Sequence, residues 1–327
     1  MLRQLARKSL LCTSFVRALG SPAPATNVSV DKEALMKLRK RTGYSYVNCR
    51  KALVQFGSDN LAEAEKWLRE RAKTEGWAKA AKLSGRATTQ GLIAVKSAES
   101  VAVTVEMSCE TDFVARGDNF KALLETVTNS ALDYAQKNAP EPVPEKIVSA
   151  NLDIASLSDS NGKSLNEVLA MTVGKLGENI TVRSITALYA PQGTSLFSAA
   201  HPREGVPSVS MGKFVSVIAL RRDEAPGLFP TDRLAAQICQ HVIGMRSETL
   251  GEPPKTTKVD GQDKHKKGSK DELNDFVDVK TTQIDEDETA LLRQAFMLNP
   301  SQTVYEYLKG HQAEVVDFVR SELGAAE

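Results

Sequence analysis

The same order of strand-like and helix-like segments occurs twice in this chain, and few architectures accommodate it. Gly91-Leu92-Ile93-Ala94-Val95 and the run from Val101 to Met107 are rich in strand-forming residues. The turn Ser97-Ala98-Glu99-Ser100 joins them, which predicts a hairpin. From Asn119 onward, Phe120, Leu123, Leu124, Val127, Ala131 and Tyr134 fall on one helical stripe, the spacing of a face packed on a sheet. Residues 138 to 163, rich in Pro, Ser and Asn, read as a loop or surface insertion. Ser164-Leu165-Asn166-Glu167 spells a capping box ahead of a helix carrying Leu165, Val168, Leu169 and Val173, and a strand from Ile180 to Tyr189 closes the unit. In the second half, Thr194 to Ala199 and Lys213 to Leu220 read as strands joined by a loop containing His201-Pro202. Thr231 caps a helix with Leu234, Ile238, Val242 and Ile243; an insertion follows, then a helix from Thr303 to Lys309 opened by Thr303-x-x-Glu306, then a strand from Glu314 to Val319. The order β-β-α-insertion-α-β, met twice, predicts an α+β chain with two related antiparallel-sheet/helix subdomains, 91–190 and 191–327.

Ahead of this core, residues 29–75 predict a small helical module. Leu35 and Leu38 mark one helix; Val47, Ala52, Leu53 and Phe56 mark a second, stopped by Gly57. Ser58 and Asp59 offer caps for a third carrying Leu61, Ala64, Trp67 and Leu68. Three short helices around one core suggest a ubiquitin-associated-like fold. A basic connector, 76–90, follows it; the segment Lys73 to Arg86 is helix-permissive and breaks at Ser84-Gly85. Residues 1–28 carry Arg3, Arg7, Lys8 and Arg17 among hydroxyl and small residues, with no acidic residue before Asp31, and read as a mitochondrial transit peptide, hence a matrix protein. Residues 251–287, rich in Lys, Asp, Glu and Gly, read as a solvated linker.

Several chemistries are excluded on residue grounds. The net charge of +1 argues against a polyanion-binding surface spread over the whole protein. No apolar run approaches the ~18 residues of a membrane span. The four cysteines make no Cys-x-x-Cys pair and no His stands at metal-ligand spacing, so no metal site is expected. No Gly-rich phosphate loop is present, so no nucleotide cofactor is expected on this chain. Cys109, with His201, His241 or His311 brought near by folding, would make a nucleophile and base. Nothing local activates it, however, and a cysteine at a strand end more often fills a core. The chain is read as non-enzymatic.

The stretch Cys109-Glu110-Thr111-Asp112-Phe113-Val114-Ala115 stands apart. Phe113 falls on a short connection between strand and helix, among polar and charged neighbours, where a core aromatic is unexpected. Either it folds back to cap the core, or a rigid scaffold presents it outward as an anchor for a pocket on a partner.

This stretch resembles the Thr-Asp-Phe-Val signature of the elongation factor Ts family. Leu38-Arg39-Lys40-Arg41-Thr42-Gly43 followed by Asn48-Cys49-Arg50-Lys51-Ala52-Leu53 resembles that family's amino-terminal motif. Tyr44-Ser45-Tyr46-Val47 is similar to its mitochondrial type. Leu176-Gly177-Glu178-Asn179-Ile180 resembles its central motif. Leu291 to Phe296, Asn299 to Val304 and Ala313 to Arg320 resemble its carboxy-terminal segment. The resemblance implies a guanine-nucleotide exchange factor for mitochondrial elongation factor Tu, in which Phe113, with Thr111, Asp112 and Val114, enters the GTPase near its magnesium site. It further implies contacts from Arg50, Lys51, Leu176, Gly177 and His201. The alternative is an RNA- or ribosome-associated protein using the basic segment Lys73 to Arg86.

Overall fold

In the computed structural model, the described residues are 30–42, 44, 46–223, 229–254 and 287–325. The presequence expected at 1–28 and most of the linker expected at 251–287 lie outside them. The chain divides into two compact bodies, the first ending at Leu68 and the second beginning at Arg69.

The first body holds α1 (Lys32–Thr42), α2 (Tyr46–Phe56) and the start of α3 (Leu61–Leu83). Asp31 opens α1, its carboxylate accepting from the backbone N–H of Glu33 and Ala34. Gly57 closes α2 with φ +83°, a conformation that favours glycine, and its N–H reaches Leu53 O. Leu35, Leu38, Cys49, Ala52, Leu53, Ala64 and Leu68 form the core. Two details depart from the sequence reading. Val47, expected inside, is 58% exposed. Ser58 accepts from Asp31 N rather than capping α3.

α3 itself runs to Leu83, so the segment expected as a helix-permissive connector continues the third helix up to the break at Ser84-Gly85. Lys79-Ala80-Ala81-Lys82 are strong helix formers, and no breaker intervenes before Ser84-Gly85. In the second body this part of α3 crosses α6 (Leu165–Leu176) at a pair of glycines. A Cβ on Gly76 would lie 2.8 Å from Ala170 O, and one on Gly174 would lie 2.8 Å from Gly76 Cα.

The second body is built in layers. Its first half is β1 (Gln90–Ala98), β2 (Val101–Cys109), α4 (Asp112–Arg116), α5 (Asp118–Lys137), β3 (Val148–Asn151), α6 and β4 (Ile180–Tyr189). Its second half is β5 (Ser195–His201), β6 (Glu204–Val206), β7 (Val209–Gly212), β8 (Phe214–Arg222), α7 (Thr231–Gly244), β9 (Ala295–Phe296), β10 (Asn299–Thr303), α8 (Val304–Gly310) and β11 (Ala313–Glu322). One sheet runs β3-β4-β2-β1-β7-β6 and another β11-β8-β5, all antiparallel, with β9 and β10 a separate hairpin. The fold is α+β, as the sequence predicts, and the duplication survives as topology. The order β4-β2-β1 in one sheet matches β11-β8-β5 in the other.

Period-two alternation sorts the faces. Leu92, Ala94, Val103 and Val105 face α5 and α6, whose Phe120, Leu123, Leu124, Val127 and Leu165 complete one core. The alternate residues Ile93, Val95 and Ala102 meet Val215, Val217 and Ala219 of β8 in a second core between the sheets. Ile218 and Leu220, on the other face of β8, pack on α7 and α8.

Four local expectations fail for identifiable reasons. One is the Thr231 cap: the N-cap of α7 is Pro230, and Thr231 Oγ1 accepts from the Arg222 guanidinium instead. The loop expected around His201-Pro202 is largely the hairpin β6–β7, and β7 crosses to pair with β1, so two strands of the second half complete the first sheet. A strand, β3, lies inside the stretch read as an insertion; its four residues, Val-Ser-Ala-Asn, are too few to show a period. The Ser164 side chain makes no cap bond, and Glu167 turns to Lys73 Nζ at 3.1 Å. The capping box at Thr303 and Glu306 forms as expected.

Candidate functional site

β2 ends at Cys109, and two residues later the chain enters α4, a helix of only five residues. Thr111 is its N-cap, with extended backbone and a side chain that accepts from Val114 N. Gly117 ends it, donating to Val114 O, and α5 begins at once. Each residue of such a turn is rotated about 100° from the last. Ala115 is buried and Val114 packs against the core. Phe113 is therefore directed away from both, and it is 85% exposed. The core-capping alternative for this side chain is ruled out. An aromatic ring this open to water, on an ordered mount, has the character of an anchor awaiting a pocket.

The mount is held from a neighbouring turn. β2 and β4 pair with Cys109 opposite Ile180, which brings the α6–β4 turn beside the β2–α4 turn. Gly177 caps α6 at φ +79° and sends Glu178 toward Thr111. One Glu178 oxygen accepts from Thr111 Oγ1 at 2.7 Å, the other from Thr111 N at 3.1 Å. In the opposite direction Glu110 accepts from Asn179 N at 2.7 Å, and the buried Asn179 amide donates to Ser84 O and Arg86 O. The Arg86 guanidinium faces Glu110 at 3.4 Å. Asp112 and Arg116, both well exposed, form an i,i+4 pair at 3.4 Å. Glu110, Glu178 and Asn179 are residues the sequence reading left without a role. The signal available was the pairing of two strand-end turns, each carrying a Glu.

Cys109 lies beneath this turn, fully buried, its thiol donating to Thr111 O. Burial, followed by the Glu178 charge, pushes it up to about 11, so it is a protonated core thiol at neutral pH. His241 packs elsewhere, with Nδ1 accepting from Met297 N and Nε2 facing Gln294 Oε1. No nucleophile–base pair forms around Cys109 among the described residues, nor does any cluster of ligands suited to a metal ion.

The other expected contact residues are dispersed. Leu176, partly packed on the core, and the exposed Gly177 sit beside the Thr111–Val114 turn through Glu178. His201 is exposed at the end of β5, beside a groove of about 510 Å³ that Arg203, Gln240, Gly244 and Met297 also line. Arg50 and Lys51 belong to the first body, on the outer face of α2 with the exposed Tyr46, Val47 and Val54. Of the basic segment proposed for RNA, Lys73 pairs with Glu167, Lys79 donates to Gly174 O, and Arg86 faces Glu110.

Comparison with known proteins agrees with the motifs. Residues 18–78 match the family model described as elongation factor Ts, mitochondrial, N-terminal, and residues 110–325 match that of elongation factor TS. The chain is similar to the mitochondrial elongation factor Ts of Caenorhabditis elegans, 50% identical over 95% of this chain and 98% of that protein. It is similar also to that of Brugia malayi, 46% identical over 99% and 96% of the two chains, and to that of Drosophila melanogaster, 33% identical over 96% and 94%. The match spans both bodies, and the chain belongs to the elongation factor Ts family, in its mitochondrial type.

Proposed function

We propose that this translation elongation factor is the guanine-nucleotide exchange factor of mitochondrial elongation factor Tu, acting in the mitochondrial matrix. The observation that carries the reading is Phe113, 85% exposed on a one-turn helix tied down by Glu178. The chain binds the GDP-bound GTPase and inserts Phe113 near its magnesium and phosphate site. Displacing the elements that hold Mg²⁺ removes the main counter-charge of the diphosphate. Exchange is then linkage: a factor that binds the nucleotide-free GTPase more tightly than the GDP form weakens GDP by the same ratio. Burying one Phe supplies about 1.5–3 kcal/mol, or roughly 10–150-fold if all of it is differential. Arg50, Lys51, Leu176, Gly177 and His201 supply further contacts. The chain itself does no covalent chemistry and binds no nucleotide. The RNA reading loses support because Lys73, Lys79 and Arg86 are engaged within the protein.

The test follows release of a fluorescent GDP analogue from mitochondrial elongation factor Tu. Catalytic amounts of this protein should accelerate release, and Phe113→Ala should remove most of the acceleration. A folded parent protein that leaves release unchanged would overturn the reading.

A further inference from the structure

A helix of five residues does not hold its own direction, because nucleating a turn costs more than one hydrogen bond returns. The orientation of α4, and of the ring it carries, therefore depends on ties from outside. The packing of Val114 and Ala115 on the core is one, and two carboxylates add the others reciprocally. Glu178 accepts from the N–H of Thr111, the residue after Glu110, while Glu110 accepts from the N–H of Asn179, the residue after Glu178. Only the Glu178 arm reaches the helix itself, through both donors of its N-cap residue. Hydrogen bonds to an ionised carboxylate are the stronger kind, and two to one residue fix direction as well as distance.

We propose that Glu178 is the positioning residue of Phe113: it holds Thr111 so that the ring is presented to the partner before the partner arrives. Without the carboxylate, water satisfies the Thr111 donors but fixes no direction, and the ordering of α4 is deferred to the encounter, where it weakens the complex. The functional half of this inference rests on the exchange reading above; the structural half does not.

The experiment is a double-mutant cycle on GDP release combined with amide hydrogen exchange of the free protein. Glu178→Ala should slow release about tenfold in the parent background, the scale of losing a charge-assisted pair of bonds. In a Phe113→Ala background the same change should cost less than about twofold, since a residue that acts through Phe113 has nothing left to position. Glu178→Gln, which still offers an acceptor to Thr111 N and a donor to its Oγ1, should recover most of the rate. In the free protein, Glu178→Ala should speed exchange at the amides of residues 111–116 about tenfold while β2 stays protected. Equal losses in both Phe113 backgrounds, or unchanged protection of 111–116, would overturn the proposal. If the parent itself fails to accelerate release, the exchange reading falls alone and the amide protection decides the positioning role.

Discussion

Phe113 and His241 show how a single side chain's value is set by its surroundings. Phe113 contributes little to the folded core, so Phe113→Ala should move the unfolding free energy by less than about 0.5 kcal/mol. The same change should slow partner-stimulated GDP release tenfold or more, and urea melts beside release kinetics check the two statements together. Arg116, across an exposed pair from Asp112, should by contrast matter little to either measurement. His241 is the opposite case, an ionisable ring sealed inside the protein. Burial lowers it to about 4 from an ordinary 6.5, the Gln294 contact opposing this only in part. The native state keeps the ring neutral while the unfolded chain protonates it below about 6.5. Its contribution is thus complete above pH 6.5 and is lost as pH falls toward 4, amounting to about 3 kcal/mol. His241→Asn should flatten the dependence of the urea midpoint between pH 7 and pH 4.5. That Phe113 was unusual could be read from its polar neighbours. That it faces water could not, because the direction depends on which neighbours of a one-turn helix find a core.

At the scale of elements, the β2–α4–α5 passage converts sheet order into the placement of the anchor. β1 supports β2 across Gly91, where a Cβ would press on Met107 O and lie 2.8 Å from Ser108 Cα. Gly91→Ala should therefore destabilise the second body by about 1–3 kcal/mol through overpacking against backbone. It should also loosen the end of β2 that leads into α4. Calorimetry and the exchange assay at a temperature where the variant is folded separate these effects. Long elements with a strong period were legible: the stripe of α5 is buried from Phe120 to Ala131 as its spacing implies, while Tyr134, expected at its end, is exposed. Short ones were not. α4, β3, β6 and β7 span three to five residues each, less than the repeat needed to separate a helix from a strand. The end of α3 was legible in part: the segment reads as helix-permissive up to Ser84-Gly85, and α3 ends at Leu83. Its continuity with the third helix of the first body and its glycine crossing with α6 could not be read from its charge.

At the scale of the whole molecule, the candidate contacts are shared between two bodies, with the basic pair on one and the aromatic anchor on the other. Exposed charges at a rim act mainly on encounter, whereas a buried anchor acts on the state that is reached. Arg50→Ala combined with Lys51→Ala should raise the concentration of this protein needed for half-maximal GDP release about tenfold, most strongly at low salt. The rate at saturation should stay close to that of the parent, and a titration at two ionic strengths reads both. What the sequence by itself determined is the α+β class, the duplicated order of elements, and the motifs that identify the family. These follow from local periodicity and residue chemistry, which each segment carries with it. What only the tertiary structure decided is the pairing of β7 with β1, the outward face of Phe113, and the reciprocal hold of Glu110 and Glu178 on each other's turns. Glu110 and Glu178 lie far apart along the chain. Only the register of β2 on β4 brings them together, and register is set by the packing of the whole sheet rather than by either segment alone.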